Sequence, residues 1–503
     1  MCVSLQFAGA QPFARHFWLN KESVNYTLSP PTSKGEWILA AARTERHADG
    51  SIGAKNTIAV FRLDKDYKIL PSVIDPCSED VSVIGIPKTE DTTVFDPYMD
   101  FVIHSVVEVV GSYGGKYVLC GSVRNTKDGT TAKPAGIVAV LGANLELLGM
   151  HKYNQASVFY SVYAKDSFYY VCGQMQDGRG IVLRDSLTAP TPNWSSTTWE
   201  TTFPWAFHKI VPNNHPFLPE ISVSGTDGVD RIGWSVFLTL PGAFTYWNGQ
   251  YFKAQYPIDP MSKVTLAYYP PASSNPGSTS LLLSASTGQP TVPGAQTVLH
   301  TYFCGNNQQQ TINSYFTIDW NGRLEDMDCG GDKVAWVGNR LMSSTQPRRT
   351  ADYIHISYPA IPPMAPMISF FPSNQTDYSA FYSLHKVHYF PNPLPYADNE
   401  FHAGGYYNNY SNTIDHPVDR TTLVVTPERL FNGDDDKFPC AERKELDIKE
   451  YPNLQTLSYP MDRLYTNGTR QLRLTQRYSF CTMDCEGNKS EDCGNRRTDN
   501  KNK

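Results

Sequence analysis

Charge is scarce in this sequence, and so are long apolar runs. Only 18% of its 503 residues are Asp, Glu, Lys or Arg, and 43 basic against 49 acidic side chains leave a formal charge of −6. So thin and slightly negative a balance gives no electrostatic footprint for nucleic acid or an anionic membrane. Beyond the first residues no stretch approaches the roughly 18 apolar residues that a membrane-spanning helix needs. No segment shows the periodicity of a long amphipathic helix, which disfavours an α/β reading. The sequence also lacks a His-Glu-x-x-His zinc pair, a Gly-x-Ser-x-Gly nucleophile elbow and a repeated Ser-x-Asp-x-Gly-x-Thr-Trp box. No cofactor, metal or catalytic residue is assigned on this reading.

Aromatics and turn formers are plentiful: 30 Tyr, 24 Phe, 35 Gly and 36 Pro, a composition of strands and turns. These residues fall into a repeat. An apolar strand ends in a small residue or Gly at Trp37–Ala42, Tyr117–Gly121, Tyr169–Gly173 and Glu220–Gly225. Asp49-Gly50, Asp128-Gly129, Asp177-Gly178 and Asp227-Gly228 follow in turn, a strong hairpin signal between apolar runs. The chain then returns through Asn56–Phe61, Gly136–Leu141, Gly180–Leu183 and Ile232–Phe237. Looser copies begin at Tyr302, Val334 and Phe401, while Leu281–Ala285 is either another unit or an insertion. A further strand precedes several units, at Val102–Val107, Phe159–Tyr163 and Phe381–His385, and an outward strand follows at 143–150. Four strands per unit is the content of one propeller blade.

Tyr117 and Tyr169 stand 52 residues apart, Tyr169 and Glu220 51. This spacing lies near that of kelch blades and slightly above that of WD-type blades. Over residues 35–432 the blade grammar resembles the kelch and WD-type β-propeller superfamily. The kelch Gly-Gly pattern is met only at Gly404-Gly405, and no Trp-Asp pair ends the units. The resemblance implies an all-β fold, a propeller most simply of seven blades of about four antiparallel strands, with six or eight as alternatives.

The flanks differ from the repeat. Val3–Ala10 with Ala8-Gly9-Ala10 reads as the end of a signal peptide, although a basic start is missing and an ordinary buried strand is the alternative. Export would place the protein outside the cell or at its surface, in a bacterial periplasm or on an outer membrane. Residues 11–34 form a lead-in. Residues 433–503 form a polar, partly disordered extension, within which 471–475 is a candidate edge strand. Cys120, Cys172 and Cys304 occupy equivalent places and read as packed thiols, whereas Cys481, Cys485 and Cys493 are disulfide candidates.

Candidate chemistry is sparse. Gly111–Lys116 lacks the spacing of a phosphate loop and reads as a hairpin turn. Asp434, Asp435 and Asp436 lack calcium-loop spacing. His385, His388 and His402 lie in neighbouring strands, but residues three apart on a strand face opposite ways, which argues against a shared metal. Aromatic loops are the better lead: Trp194, Trp199 and Trp205, then Tyr246 and Trp247, then Tyr406 and Tyr407. Such side chains hold sugars or proteins by stacking and buried area, while packing between blades is the competing use. The expected function is an exported, non-catalytic scaffold for a protein or carbohydrate ligand. A glycan-acting hydrolase or lyase centred on the channel is the alternative.

Overall fold

The computed structural model describes residues 14–17, 23–43, 57–64, 67, 70, 82–84, 87–89, 99–125, 133–187, 195–213, 220–229, 231–239, 244–253, 263–269, 279–286, 297–304, 311–320, 322–330, 333–341, 349–357, 363–370, 378–386, 401–409, 419–425, 441–450, 458–460, 470–473 and 476–480. Every regular element among them is a β-strand. The chain divides into two compact units, one of Phe17–Glu200, Asp419–Thr422 and Gly468–Lys503, the other of Met1–His16, Thr201–Val418 and Leu423–Asn467. The N-terminal β1 (Ala14–Phe17) joins the last sheet described below.

In the first of these units, β2 (Ser23–Leu28), β3 (Trp37–Arg43), β4 (Thr57–Leu63) and β5 (Ser82–Ile84) pair in chain order. Next come β6 (Pro87–Thr89), β7 (Met99–Glu108), β8 (Tyr117–Asn125), β9 (Ala135–Leu141) and β10 (Leu147–Tyr153), of which β7 to β10 form a meander. A third meander holds β11 (Ala156–Lys165), β12 (Phe168–Met175), β13 (Arg179–Ser186) and β14 (Ser195–Pro204). Strand β9 shows how these sheets stack. All seven of its residues are buried. Ile137, Ala139 and Leu141 pack with Ile38, Ile58 and Leu119, whereas Val138 and Val140 join Phe159, Val171 and Leu183. A strand alternates its side chains between faces, so this sheet is covered on both sides by its neighbours. Burying one such side chain contributes about 2 kcal/mol.

Polar side chains tie the same sheets together. The Tyr153 hydroxyl donates to Asp185 Oδ2 (2.5 Å) and lies 2.7 Å from the Tyr169 hydroxyl, which in turn meets His151 Nδ1 at 2.9 Å. All four residues are buried. Burial first, and then the charge of Asp185, push the Tyr169 phenol well above its ordinary value, which keeps its proton available for the network.

In the second unit, β15 (Ala206–Asn213), β16 (Glu220–Thr226), β17 (Arg231–Leu238) and β18 (Thr245–Lys253) form one meander. Then come β19 (Lys263–Tyr269), β20 (Thr279–Ser286), β21 (Thr297–Cys304) and β22 (Thr311–Ile318), followed by β23 (Arg323–Gly330), β24 (Lys333–Leu341), β25 (Arg349–Ser357) and β26 (Met364–Phe370). The last sheet has β27 (Tyr378–Lys386), β28 (Phe401–Asn409) and β29 (Asp419–Val425) in the order β1-β29-β28-β27. The N-terminal strand therefore completes the sheet built from the end of the repeat. First strands adjoin within the unit, β15 beside β19, β19 beside β23 and β23 beside β27. This side-by-side stacking of antiparallel meanders is the architecture of a β-propeller.

Several expectations change. Residues 11–34, expected as a lead-in, supply β1 and β2. Residues 433–503 supply β30 (Ala441–Glu450), β31 (Ser458–Pro460), β32 (Arg470–Arg473) and β33 (Gln476–Phe480). These pair with β22 and β26, β18, β14 and β10 respectively, so the tail adds strands to meanders in the reverse of chain order. Because β30 bridges β22 and β26, two four-strand meanders merge into one nine-stranded sheet, and the described residues form six sheets. The repeat spacing predicts a second strand at Tyr302-Phe-Cys-Gly305, but its described part lies in the third, β21, and Leu281–Ala285 lies in the second, β20. Cys304 is thus not equivalent to Cys120 and Cys172, which are buried free thiols on second strands. Residues 1–10, His388, Asp434–Asp436 and Cys481, Cys485 and Cys493 lie outside the described residues.

The recurrent glycine of the second strand has a specific cause. Gly121 pairs with Ile103, Gly173 with Phe159, Gly225 with Phe207 and Gly338 with Leu324, and immediately after each partner the first strand slips by one residue. A Cβ on these four glycines would collide with the carbonyl oxygens of Val102, Val158, Ala206 and Arg323. The sequence pattern predicts crowding toward the axis at the end of an inner strand. The crowding instead comes from a β-bulge across the ladder.

Candidate functional site

A bulge inserts one residue that has no partner across the ladder. The inserted residues are His104 on β7, Tyr160 on β11, His208 on β15, Glu325 on β23 and Tyr382 on β27. All carry ionisable or aromatic side chains, and the next residues are Ser105, Ser161, Lys209, Asp326 and Ser383. These five first-strand bulges thus place polar or aromatic side chains side by side.

In the unit with β7 and β11, the rings of His104 and Tyr160 lie 5.2 Å apart at 58°. In the other unit the neighbouring first strands share a charged cluster. Lys209 Nζ reaches Asp326 Oδ1 at 2.7 Å, and Lys263 Nζ on β19 reaches Glu325 Oε2 at 2.6 Å. Asp326 also accepts from the Leu384 amide of β27 at 3.1 Å, from its neighbour Met327 N at 2.9 Å and from Thr265 Oγ1 at 3.4 Å. Glu325 accepts from Arg323 Nε at 3.2 Å and Asn339 Nδ2 at 3.4 Å. Consecutive strand residues ordinarily face opposite ways. Here the bulge lets Glu325 and Asp326 both meet the Lys263–Thr265 face of β19. The carboxylates are each 7% exposed and the two lysines 19%.

His208 is buried beside this cluster, and the Val264 amide donates to its Nδ1 at 3.1 Å. That nitrogen therefore carries the lone pair, and the ring proton belongs to Nε2. Among the described residues no group of three or more His, Cys, Asp or Glu is arranged to hold a metal ion.

The described aromatic residues singled out from sequence lie on or beside three different strands, β14, β18 and β28. Trp194 lies outside the described residues. Trp199 is half-buried on β14. Trp205 is 1% exposed, packed edge-on to Phe203 at 5.8 Å and beside Phe207 at 6.2 Å, and its indole nitrogen is against the position where Gly225 has no Cβ. It is a core residue, because the absent side chain of Gly225 leaves room for its ring. Tyr246 is half-buried edge-on to Phe237 at 5.7 Å, while Trp247 beside it is 45% exposed. Tyr406 and Tyr407 pair with Ala380 and Ser379 inside β28, within a strand that continues past the Gly-Gly pair. Trp199, Tyr246, Trp247, Tyr406 and Tyr407 are therefore strand positions, and Trp205 lies between β14 and β15. His385 and His402 face each other across β27 and β28, and Gly111–Lys116 is the hairpin turn between β7 and β8, with Gly111 and Gly115 at φ +98° and +82°.

The sequence does carry a signal for the bulges. Ile103-His-Ser, Phe159-Tyr-Ser and Phe381-Tyr-Ser are one motif, an apolar residue followed by the inserted polar one.

The chain matches no family model and no curated protein. It is similar to a solved structure described as "a putative hydrolase" from Bacteroides ovatus ATCC 8483, with 9% identity over 84% of this chain and 89% of that one, at a TM-score of 0.29. It is also similar to a solved BT0996 RGII complex, with 10% identity over 68% of this chain and 93% of that one, at a TM-score of 0.25. Overlaps this loose carry no inference about chemistry. The strand order itself makes the chain an all-β protein of the propeller kind.

Proposed function

We propose that the protein is a non-catalytic binding propeller that holds a protein or carbohydrate ligand at its first-strand bulges. One observation carries this reading: each buried carboxylate of the cluster is already taken by its own ammonium, Asp326 by Lys209 and Glu325 by Lys263. A hydrolase that works with two carboxyl groups needs one of them as a proton donor facing the scissile bond. Two satisfied ion pairs instead offer fixed donors and acceptors, and the half-buried Tyr382 adds an aromatic face. Export to a cell surface or periplasm is part of the proposal and rests on Val3–Ala10. Seven blades, with six or eight as alternatives, is the count taken from the repeat and is part of the proposal; reading the nine-stranded sheet as two meanders supports it. Counting joined sheets once gives a smaller number.

A glycan-array and pull-down screen tests this reading. His208→Ala and Tyr382→Ala should each lower ligand retention at least tenfold, whereas Trp247→Ala should leave it unchanged. Glycan cleavage by the wild type that disappears in Glu325→Gln would establish the hydrolase reading in its place.

A further inference from the structure

Strand β30 is held in an unusual way for a segment so polar. Residues 441–447 pair antiparallel with β26, from Phe370 back to Met364, and Ile448, Lys449 and Glu450 pair with Ile318, Thr317 and Phe316 of β22. The backbone makes two more bonds, Asp319 N donating to Asp447 O at 3.0 Å and Ile448 N donating to Pro363 O at 2.9 Å. The two edges are engaged in succession, one by β26 along 441–447 and the other by β22 along 448–450, overlapping at Asp447 and Ile448. Its side chains contribute far less. The positions from Glu442 to Glu445, with Asp447 and Lys449, are exposed, and among the described side chains of the strand only Leu446 and Ile448 are half-buried, packed on the cluster of Trp320, Met327 and Trp336. The ion pair between Lys444 and Glu442 is solvated, at 42% and 47% exposure, and such pairs contribute little. By contrast β9 buries all seven of its side chains.

A seam that grips main chain along two edges and reads side chains at two alternate positions has the anatomy of a peptide-recognition groove. We propose that the space between β22 and β26 is a strand-docking site for an extended peptide with two apolar residues in alternation, flanked by charged ones, and that residues 441–450 fill it in cis. The partner chemistry follows from the resident segment: the ladder is indifferent to sequence, so selectivity falls on the positions of Leu446 and Ile448. This site is separate from the first-strand cluster, so its failure leaves that reading untouched.

The test titrates a fluorescent peptide of residues 441–450 into the full chain and into its double variant Leu446→Asp, Ile448→Asp, read by anisotropy. The variant should bind the peptide at least tenfold more tightly than the wild type, whose own segment competes. A peptide carrying the same two substitutions should bind neither chain. Equal affinity for both chains, or no binding to a variant that keeps the wild-type circular-dichroism spectrum, overturns the proposal. If the variant does not fold, hydrogen exchange on the wild type decides. Amides of 441–450 should open at least tenfold more readily than those of β24, and a common opening rate overturns the proposal. A concentration-dependent dimer dissolved by free peptide would support the site and identify a second copy as its occupant in trans.

Discussion

The meanders β15–β18 and β23–β26 solve the same packing problem with different residues on the third strand. In each, a tryptophan just before the first strand lies over the second-strand glycine, Trp205 over Gly225 and Trp320 over Gly338. The third-strand residue opposite that glycine is Gly233 in one and Asp352 in the other. Asp352, fully buried, accepts from Trp320 Nε1 at 2.8 Å and from Arg340 Nε at 3.0 Å, and Arg340 Nη2 continues to Ser369 Oγ at 3.0 Å. The Trp205 indole nitrogen is buried without a hydrogen-bond partner. Shape alone suffices for the first meander, while the second adds a charged network whose members depend on one another. Burial raises the Asp352 carboxyl above its ordinary value, and Arg340, followed by Trp320, offsets part of that rise.

The largest effect should come from separating the partners in that network. Arg340→Ala leaves Asp352 buried without its cation, and should cost about 3–5 kcal/mol in denaturant unfolding. A loss below about 1 kcal/mol would mean that the network is ornamental and the two meanders are energetically alike.

A second difference lies three residues further on, where His355 stands in the place of the buried Val236. Burial, and then the charge of Lys333, depress the His355 imidazole from 6.5 to about 4. Between those values the unfolded chain binds a proton that the folded chain refuses. The contribution is therefore intact above pH 6.5 and is lost as pH falls toward 4, by at most about 3 kcal/mol. His355→Val, which copies the other meander, should flatten the stability profile in that window, as read from urea midpoints at pH 7 and 4.5. An unchanged slope would remove His355 from the account.

The smallest effect sharpens the comparison most directly. Trp320→Phe deletes a hydrogen bond to a buried carboxylate, whereas Trp205→Phe deletes a donor with nothing to donate to. The first should cost about 1–2 kcal/mol more than the second. Equal costs would show that only the ring matters in both.

The parts of the fold legible in sequence are those where a local rule and the tertiary structure agree. Asp177-Gly178 and Asp227-Gly228 turn β12 into β13 and β16 into β17, with Gly178 and Gly228 at φ +87° and +77°. The glycines before them mark second strands because a bulge faces them. The unit of β19–β22 shows the reverse: β19 and β20 pair without a slip, β20 has no glycine at that place, and the repeat pattern is one strand out of step there. A bulge shifts side-chain parity, so alternation does not reveal that Glu325 and Asp326 work on one face. The tail strands are hidden for another reason. Ala441–Glu450 is bound through its main chain, and a pattern of side chains says nothing about hydrogen bonds made by amides.

An inserted residue answers to no ladder partner, so the hydrogen bonds within its own sheet do not run through it. His104, Tyr160, His208 and Glu325 are instead free to serve the neighbouring strand: His104 meets Tyr160, His208 takes the Val264 amide and Glu325 takes Lys263. The same irregularity that frees a residue from its own ladder is thus what lets one sheet fasten to the next.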